Sequence, residues 1–194
     1  MKQKRIHLSP GFYLMMATSL LVVPVRWIIA WMIAAAVHEL CHILALKLSG
    51  SKIYLIKLGF CGAKIEVQLT PGIKSAFCAL AGPMGGLLLL CVYRIAPRTA
   101  LCALSQSLFN LLPIYPMDGG RVLEGLICAV AGEGKTRRFI SAVERITRVL
   151  LLLISIYVSV IWHLGLLPAI ICILLFLRSK NIPCKPSPYR VQYV

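Results

Sequence analysis

Acidic side chains are scarce in this chain of 194 residues, which holds 6 Asp and Glu against 21 Lys and Arg. Charged residues of both signs make up 14%, hydrophobic residues make up 59%, and the mean hydropathy is +0.86. A soluble domain of this length needs far more charge on its surface. The composition therefore excludes an ordinary soluble protein. It predicts an all-α, multi-pass membrane protein with a single domain over residues 1–194.

Paired cysteine motifs are also lacking. The chain has 8 cysteines but no Cys-x-x-Cys pair, and most of the cysteines lie in apolar segments. This pattern argues against a disulfide framework and against a zinc site built from cysteines. We expect these residues to pack as small hydrophobic side chains.

Long apolar runs predict about six transmembrane helices. Four of them are clear, the last being long and interrupted: residues 11–25, 27–48, 75–93 and 99–131. The final run, residues 149–177, would extend about 44 Å as one helix, which exceeds the roughly 30 Å hydrocarbon core. We therefore divide it into two short spans near Gly165 and Pro168, with five spans in total as the alternative.

The basic residues set the orientation. With six spans and cytoplasmic N- and C-termini, all but four of the 21 Lys and Arg lie in cytoplasmic segments, as the positive-inside rule requires. The four are Arg26, Arg94, Arg98 and Arg121. The net charge of +15 is thus explained by topology, and no nucleic-acid partner is expected.

The second span contains an unusual group of polar residues. Between Trp27 and Leu46 the strongly polar side chains are His38, Glu39 and His42. Burying them in hydrocarbon is costly unless they have a function. On a helix both histidines share one face and can bind a single metal ion, while Glu39 lies beside them to transfer a proton. The alternative, hydrogen bonding between helices, needs no such spacing. The pattern therefore predicts a zinc site within the membrane.

A zinc ion bound by two histidines needs a third protein ligand, and Asp118 is the only aspartate in the sequence. Pro113 and Pro116 lack backbone donors and two glycines follow Asp118, so we expect the fourth span to unwind here and restart as a second helix. Such irregular backbone at membrane depth is tolerated where it lines a site. Asp118 is therefore the candidate third ligand, and an N-cap of the restarted helix is its alternative role.

Two cytoplasmic segments have patterns of their own. Residues 52–69 alternate polar and apolar side chains around a glycine-flanked turn, which predicts a small β-hairpin. Its open edge could pair with an extended substrate, although a simple amphipathic connector is the alternative. Residues 135–148 predict an amphipathic helix on the membrane surface, with Glu144, Arg145 and Arg148 on its polar face; the alternative is an extension of the next span.

Three motifs resemble those of the site-2 protease family of intramembrane zinc metalloproteases, and are most similar to the stage IV sporulation protein FB type. They are His-Glu-x-x-His in the second span, Ala81-Gly82-Pro83 in the third, and Asn-x-x-Pro-x-x-Pro-x-Asp-Gly-Gly in the fourth. The resemblance implies one catalytic Zn²⁺ bound by His38, His42 and Asp118, with Glu39 as general base. It also implies that substrate is contacted by Asn110, Pro113 and Pro116.

The function implied is that of a zinc metalloendopeptidase of the site-2 type. It would cleave a membrane-anchored protein within or near a bacterial cell membrane, in regulated intramembrane proteolysis. One departure is Cys41, which stands where the family commonly has glycine. Another is that no segment is long enough for a regulatory domain, so we expect regulation by partner membrane proteins or by the substrate.

Two other functions use similar residues. A metal-cation carrier or sensor could be built on the same His/His/Asp site, but transport has no need of Glu39, and the sequence has no inverted pair of broken spans. A metalloprotease of the prenyl-protein type also uses His-Glu-x-x-His, but it would bind the metal through a distal glutamate instead of Asp118.

Overall fold

A computed structural model describes residues 5–8, 10–51, 53–59, 62–67, 72–115, 117–131, 133–161 and 191–193. The helices are α1 (Pro10–Val22), α2 (Val25–Leu48), α3 (Ile73–Leu88), α4 (Pro97–Asn110), α5 (Asp118–Ala131) and α6 (Glu133–Ile161). The strands are β1 (Arg5–Leu8), β2 (Ile53–Gly59), β3 (Gly62–Val67) and β4 (Val191–Tyr193). The described chain is thus mostly helical, with one small sheet.

Among the described residues, two helical segments are long and apolar enough to cross a membrane. They are α2 and the segment Ile73–Val92, in which a short 3₁₀ turn extends α3. In contrast, α1 has 13 residues and a length of about 20 Å, which is less than the hydrocarbon thickness. The predicted interruption of the fourth span is present, because α4 and α5 are separated by residues 111–117. The total of six spans stays a prediction, since Gly165 and Pro168 lie outside the described residues.

Small residues on α3 allow its neighbours to approach closely. This helix packs against α2, α4 and α5, while α6 packs against α5. A side chain at Gly85 would collide with Cys41 of α2, and one at Gly86 would collide with Ser107 of α4. Close contact at small residues is the usual way in which helices pack inside a membrane. The arrangement makes α3 the centre of the bundle.

The sheet has the strand order β1-β2-β3-β4. Strands β2 and β3 are antiparallel and coincide with the predicted hairpin, whose Phe60 and Cys61 lie outside the described residues. The prediction that this hairpin has an open edge is contradicted along most of its length, because β1 pairs with β2 and β4 pairs with the last three residues of β3. These flanking strands have four and three residues, too few for an alternating pattern to be recognised in the sequence. Whether the sheet is cytoplasmic stays a prediction.

Strand β3 attaches the sheet to the helices. Its Ile65 and Val67 are fully buried and pack with four residues of α2 and α3: Ala45, Leu46, Cys78 and Ala79. The chain reaches the sheet through a sharp turn at Gly50, whose φ of 70° favours glycine. The Gly50 N–H donates to Lys47 O and the Ser51 N–H donates to Leu46 O, which caps the end of α2. The sheet therefore lies at the C-terminal end of α2.

Helix α6 differs from the predicted surface helix. It runs without interruption for 29 residues, as expected for an extension of the next span. Arg145 is exposed, but Glu144 is only 3% exposed and does not belong to a solvated polar face. The helical period assigns Glu144, Arg145 and Arg148 to one side without revealing that an ion pair buries part of that side.

Replacing Gly85 by Val should destabilise the bundle, because the new side chain would overlap Cys41 of α2. We expect a loss of about 1–3 kcal/mol in the free energy of unfolding, as is typical of overpacked cores. Unfolding in detergent micelles would measure it. The control is Met84→Val, which places the same side chain on the exposed face of the same helix. Equal stability of the two variants would contradict the close α2 to α3 contact.

Candidate metal centre

Helix α2 directs two histidines into the bundle. His38 and His42 are one turn apart, and their rings meet edge to face with centroids 4.8 Å apart. The side chains are 4% and 0% exposed. Two imidazoles are thus held together inside the protein, as the four-residue spacing predicted.

Asp118, the first residue of α5, completes a compact group of donor atoms. Its Oδ2 lies 3.1 Å from the Nε2 of His38 and 3.1 Å from that of His42, and the two Nε2 atoms are 3.2 Å apart. In a tetrahedral zinc site with bonds of about 2.0–2.1 Å, ligand atoms are separated by about 3.3 Å. The three atoms therefore have the spacing that one zinc ion requires.

A hydrogen bond from Nδ1 of His42 determines which nitrogen of this ring has a free lone pair. Its Nδ1 is 2.8 Å from the carbonyl oxygen of Cys78, which can only accept, so Nδ1 carries the proton. In the neutral ring Nε2 then has a lone pair, and this lone pair faces the Asp118 carboxylate. Histidines that bind metals usually donate their other N–H to such a partner. The arrangement suits a cation between the two side chains.

The Ala81-Gly82-Pro83 motif provides space for this ring. A side chain at Gly82 would overlap the imidazole of His42. The glycine therefore has a structural role in the site, namely to let α3 lie directly against the histidine. The sequence contained the motif but gave no physical reason for it, because the contact is between two helices.

The second carboxylate oxygen of Asp118 also fits a metal ligand. Oδ1 is buried and accepts no hydrogen bond from the part of the chain that the structure describes. The alternative role as an N-cap is therefore not seen there, since the other oxygen, Oδ2, faces the histidines. A buried carboxylate oxygen without a partner is costly, and a bound cation offsets that cost. The donor set thus fits a divalent metal ion.

The remaining candidates lie around this group. Glu39 follows His38 on α2 and is half-buried, and the amide nitrogen of Asn110 is 3.4 Å from the Nε2 of His38. Pro113 lies in the interruption and is half-buried, whereas Pro116 is outside the described residues. Cys41 contacts α3 at Gly85 and is not in the ligand group found among the described residues. The roles assigned to these residues stay predictions.

Residues 90–154, which include α4, the interruption and Asp118, match the model of peptidase family M50. The matched segment is about a third of the chain. A zinc metalloprotease of Methanocaldococcus jannaschii is 27% identical to it over 138 residues, which make up 64% of this chain and 41% of that protein. The chain thus spans about two fifths of the length of this curated relative.

The fold of the chain is also similar to that of a solved structure. The site-2 protease from Methanocaldococcus jannaschii superposes with a TM-score of 0.64, at 21% sequence identity, over 90% of this chain and 88% of that chain. The resemblance to the site-2 protease family, first indicated by the sequence motifs, is confirmed. The similarity to the sporulation type stays a prediction.

Replacing Asp118 by Asn should weaken metal retention, because a neutral amide is a poorer zinc ligand than a carboxylate. We expect zinc content to fall from near one ion per chain to a small fraction of it after dialysis, measured by atomic emission. Glu124→Gln is the control, since it neutralises a carboxylate of the same helix outside the ligand group. Unchanged zinc in Asp118→Asn would remove this residue from the metal site.

Proposed function

We propose that this chain is an intramembrane zinc metalloendopeptidase that cleaves membrane-anchored proteins within or near the bilayer. The observation that carries the proposal is the triangle of two imidazole nitrogens and one carboxylate oxygen, with a glutamate next to it on α2. The match of residues 90–154 to the M50 family model supports the same conclusion. So does the relative, which is called a zinc metalloprotease.

His38, His42 and Asp118 would hold the zinc ion. A bound zinc ion polarises a peptide carbonyl and lowers the pKa of water toward about 7. Glu39 would accept the proton of the attacking water and deliver it to the leaving amine. Glu39 directly follows His38 on α2 and is half-buried.

The substrate must be extended at the cleaved bond, because a helical peptide hides its carbonyl groups in the i to i−4 hydrogen bonds. We place Asn110, Pro113 and Pro116 along its path. The amide of Asn110 is 3.4 Å from His38, too long for a strong hydrogen bond, so it is available to a substrate carbonyl beside the metal. This role rests on the resemblance as well as on the position of Asn110.

The surface of the bundle suits a lipid environment. Leu21, Ile95 and Val130 are each more than four-fifths exposed, and many other large apolar side chains are exposed as well. Such a surface is unfavourable in water but is solvated by hydrocarbon. We propose a multi-pass protein of a bacterial cell membrane with both termini cytoplasmic. Its substrates would be membrane-tethered precursors of the kind that the sporulation type processes, with membrane proteins as regulators.

The Glu39→Gln variant should retain zinc but lose peptidase activity, because the amide cannot accept the proton of water. We expect cleavage of a membrane-anchored reporter to fall by about 10²–10⁴-fold. Reporter cleavage would be followed by immunoblot in cells that express the parent or the variant, and zinc would be measured in the purified proteins.

The same experiment separates a protease from a metal carrier or sensor. A Glu39→Gln variant that still moves or senses metal, together with a parent that cleaves no reporter, would favour the carrier. Glu124→Gln serves again as the control, and it should cleave at the parental rate.

A further inference from the structure

Residues 111–117 connect two groups of the metal centre. The segment begins after Asn110, whose amide lies near His38, and it ends at Asp118. It also lies directly on the first turn of α5, since a side chain at Gly119 or Gly120 would collide with its backbone. A displacement of this segment would therefore displace Asp118 as well.

The middle of the segment is fastened to a different helix. The backbone N–H of Tyr115 donates to Oε1 of Glu144 on α6, with a nitrogen to oxygen distance of 2.6 Å. This is a short bond to an ionised acceptor, the stronger class of hydrogen bond. Its partners are 29 residues apart in sequence, and the glutamate is 3% exposed. The contact thus joins α6 to the wall of the site.

The guanidinium of Arg148 orients the carboxylate of Glu144. Nη2 of Arg148, one turn further along α6, lies 3.1 Å from Oε2 of Glu144, so that the two carboxylate oxygens have different partners. Over the Tyr115 ring lies the guanidinium of Arg121, 5.7 Å from the ring centroid, and this arginine is also buried. Ionised groups buried in such a bundle are costly and usually serve a function.

We propose that Glu144 is a positioning residue for the metal centre, with Arg148 orienting it. By accepting the Tyr115 N–H, it fixes residues 111–115 and thereby holds Asp118 at the distance from the histidines that zinc requires. The inference rests on the proposed function, because it concerns the residues that would bind the ion. It also gives α6 a direct mechanical connection to the site.

The test compares Glu144→Met with Glu144→Gln. Met has a similar size but no acceptor, whereas the amide oxygen of Gln can still accept the Tyr115 N–H. We expect the zinc-loaded Met variant to lose zinc to a chelator at least about tenfold faster than the parent, as when the partners of metal ligands are removed. Reporter cleavage should fall by a similar factor, and Gln should restore most of both properties.

Two further variants complete the test. Glu144→Asp keeps the charge beside Arg148 but is one methylene shorter, so it should lose zinc faster than the parent even if Glu144→Met fails to fold. Arg145→Met is the control, because it removes the charge of an exposed residue of the same helix. It should retain zinc like the parent.

The outcomes distinguish this inference from the proposed function. If Gln is as defective as Met, Glu144 only neutralises Arg148, and the positioning role is overturned. It is also overturned if the Met and Asp variants retain zinc and cleave like an active parent. A parent that neither binds zinc nor cleaves would overturn the proposed function, and this inference with it.

Discussion

Three electron-pair donors meet in one buried volume, and much of the structure serves to bring them there. Two imidazole nitrogens and a carboxylate oxygen lie 3.1–3.2 Å apart, and one divalent cation can satisfy all three. Helix α2 supplies both histidines from one face. Helix α3 accepts the N–H of His42 at the Cys78 carbonyl and leaves space for the ring at Gly82. Helix α5 must then begin at Asp118 for the third donor to reach the other two.

The break between α4 and α5 makes this last requirement possible. A continuous helix would direct its side chains outward at fixed angles, whereas the irregular segment 111–117 lets the chain enter α5 with its first carboxylate inside the bundle. In an unwound segment the backbone N–H and C=O groups are not paired within a helix, so they need other hydrogen-bond partners where water is excluded. The Tyr115 N–H finds one in Glu144 of α6. The geometry of the candidate metal centre and the hydrogen bonding of the unwound backbone are thus linked through Glu144.

The sequence predicted the elements that have a strong local signal. His38 and His42 share a helix face because of their spacing, and the break before Asp118 follows from the chemistry of proline and glycine. The roles of Gly82 and of the Cys78 carbonyl could not be predicted, since each depends on which helices touch. Glu144 was assigned to a polar surface because periodicity cannot distinguish water from an ion pair. The short strands β1 and β4 carry no periodic signal at all, so the covered edges of the hairpin were missed.

The pairing of the strands constrains how many times the chain can cross a bilayer. Its strands come from near the N-terminus, from the connection between α2 and α3, and from near the C-terminus, yet they are hydrogen-bonded neighbours. In the proposed membrane topology, neighbouring strands must lie on one side of the bilayer, so the chain would cross the bilayer an even number of times between any two of them. An odd total, such as five, would leave β1 and β4 on opposite sides. The hydrogen bonds of these few short strands therefore support an even number of spans in the proposed membrane topology.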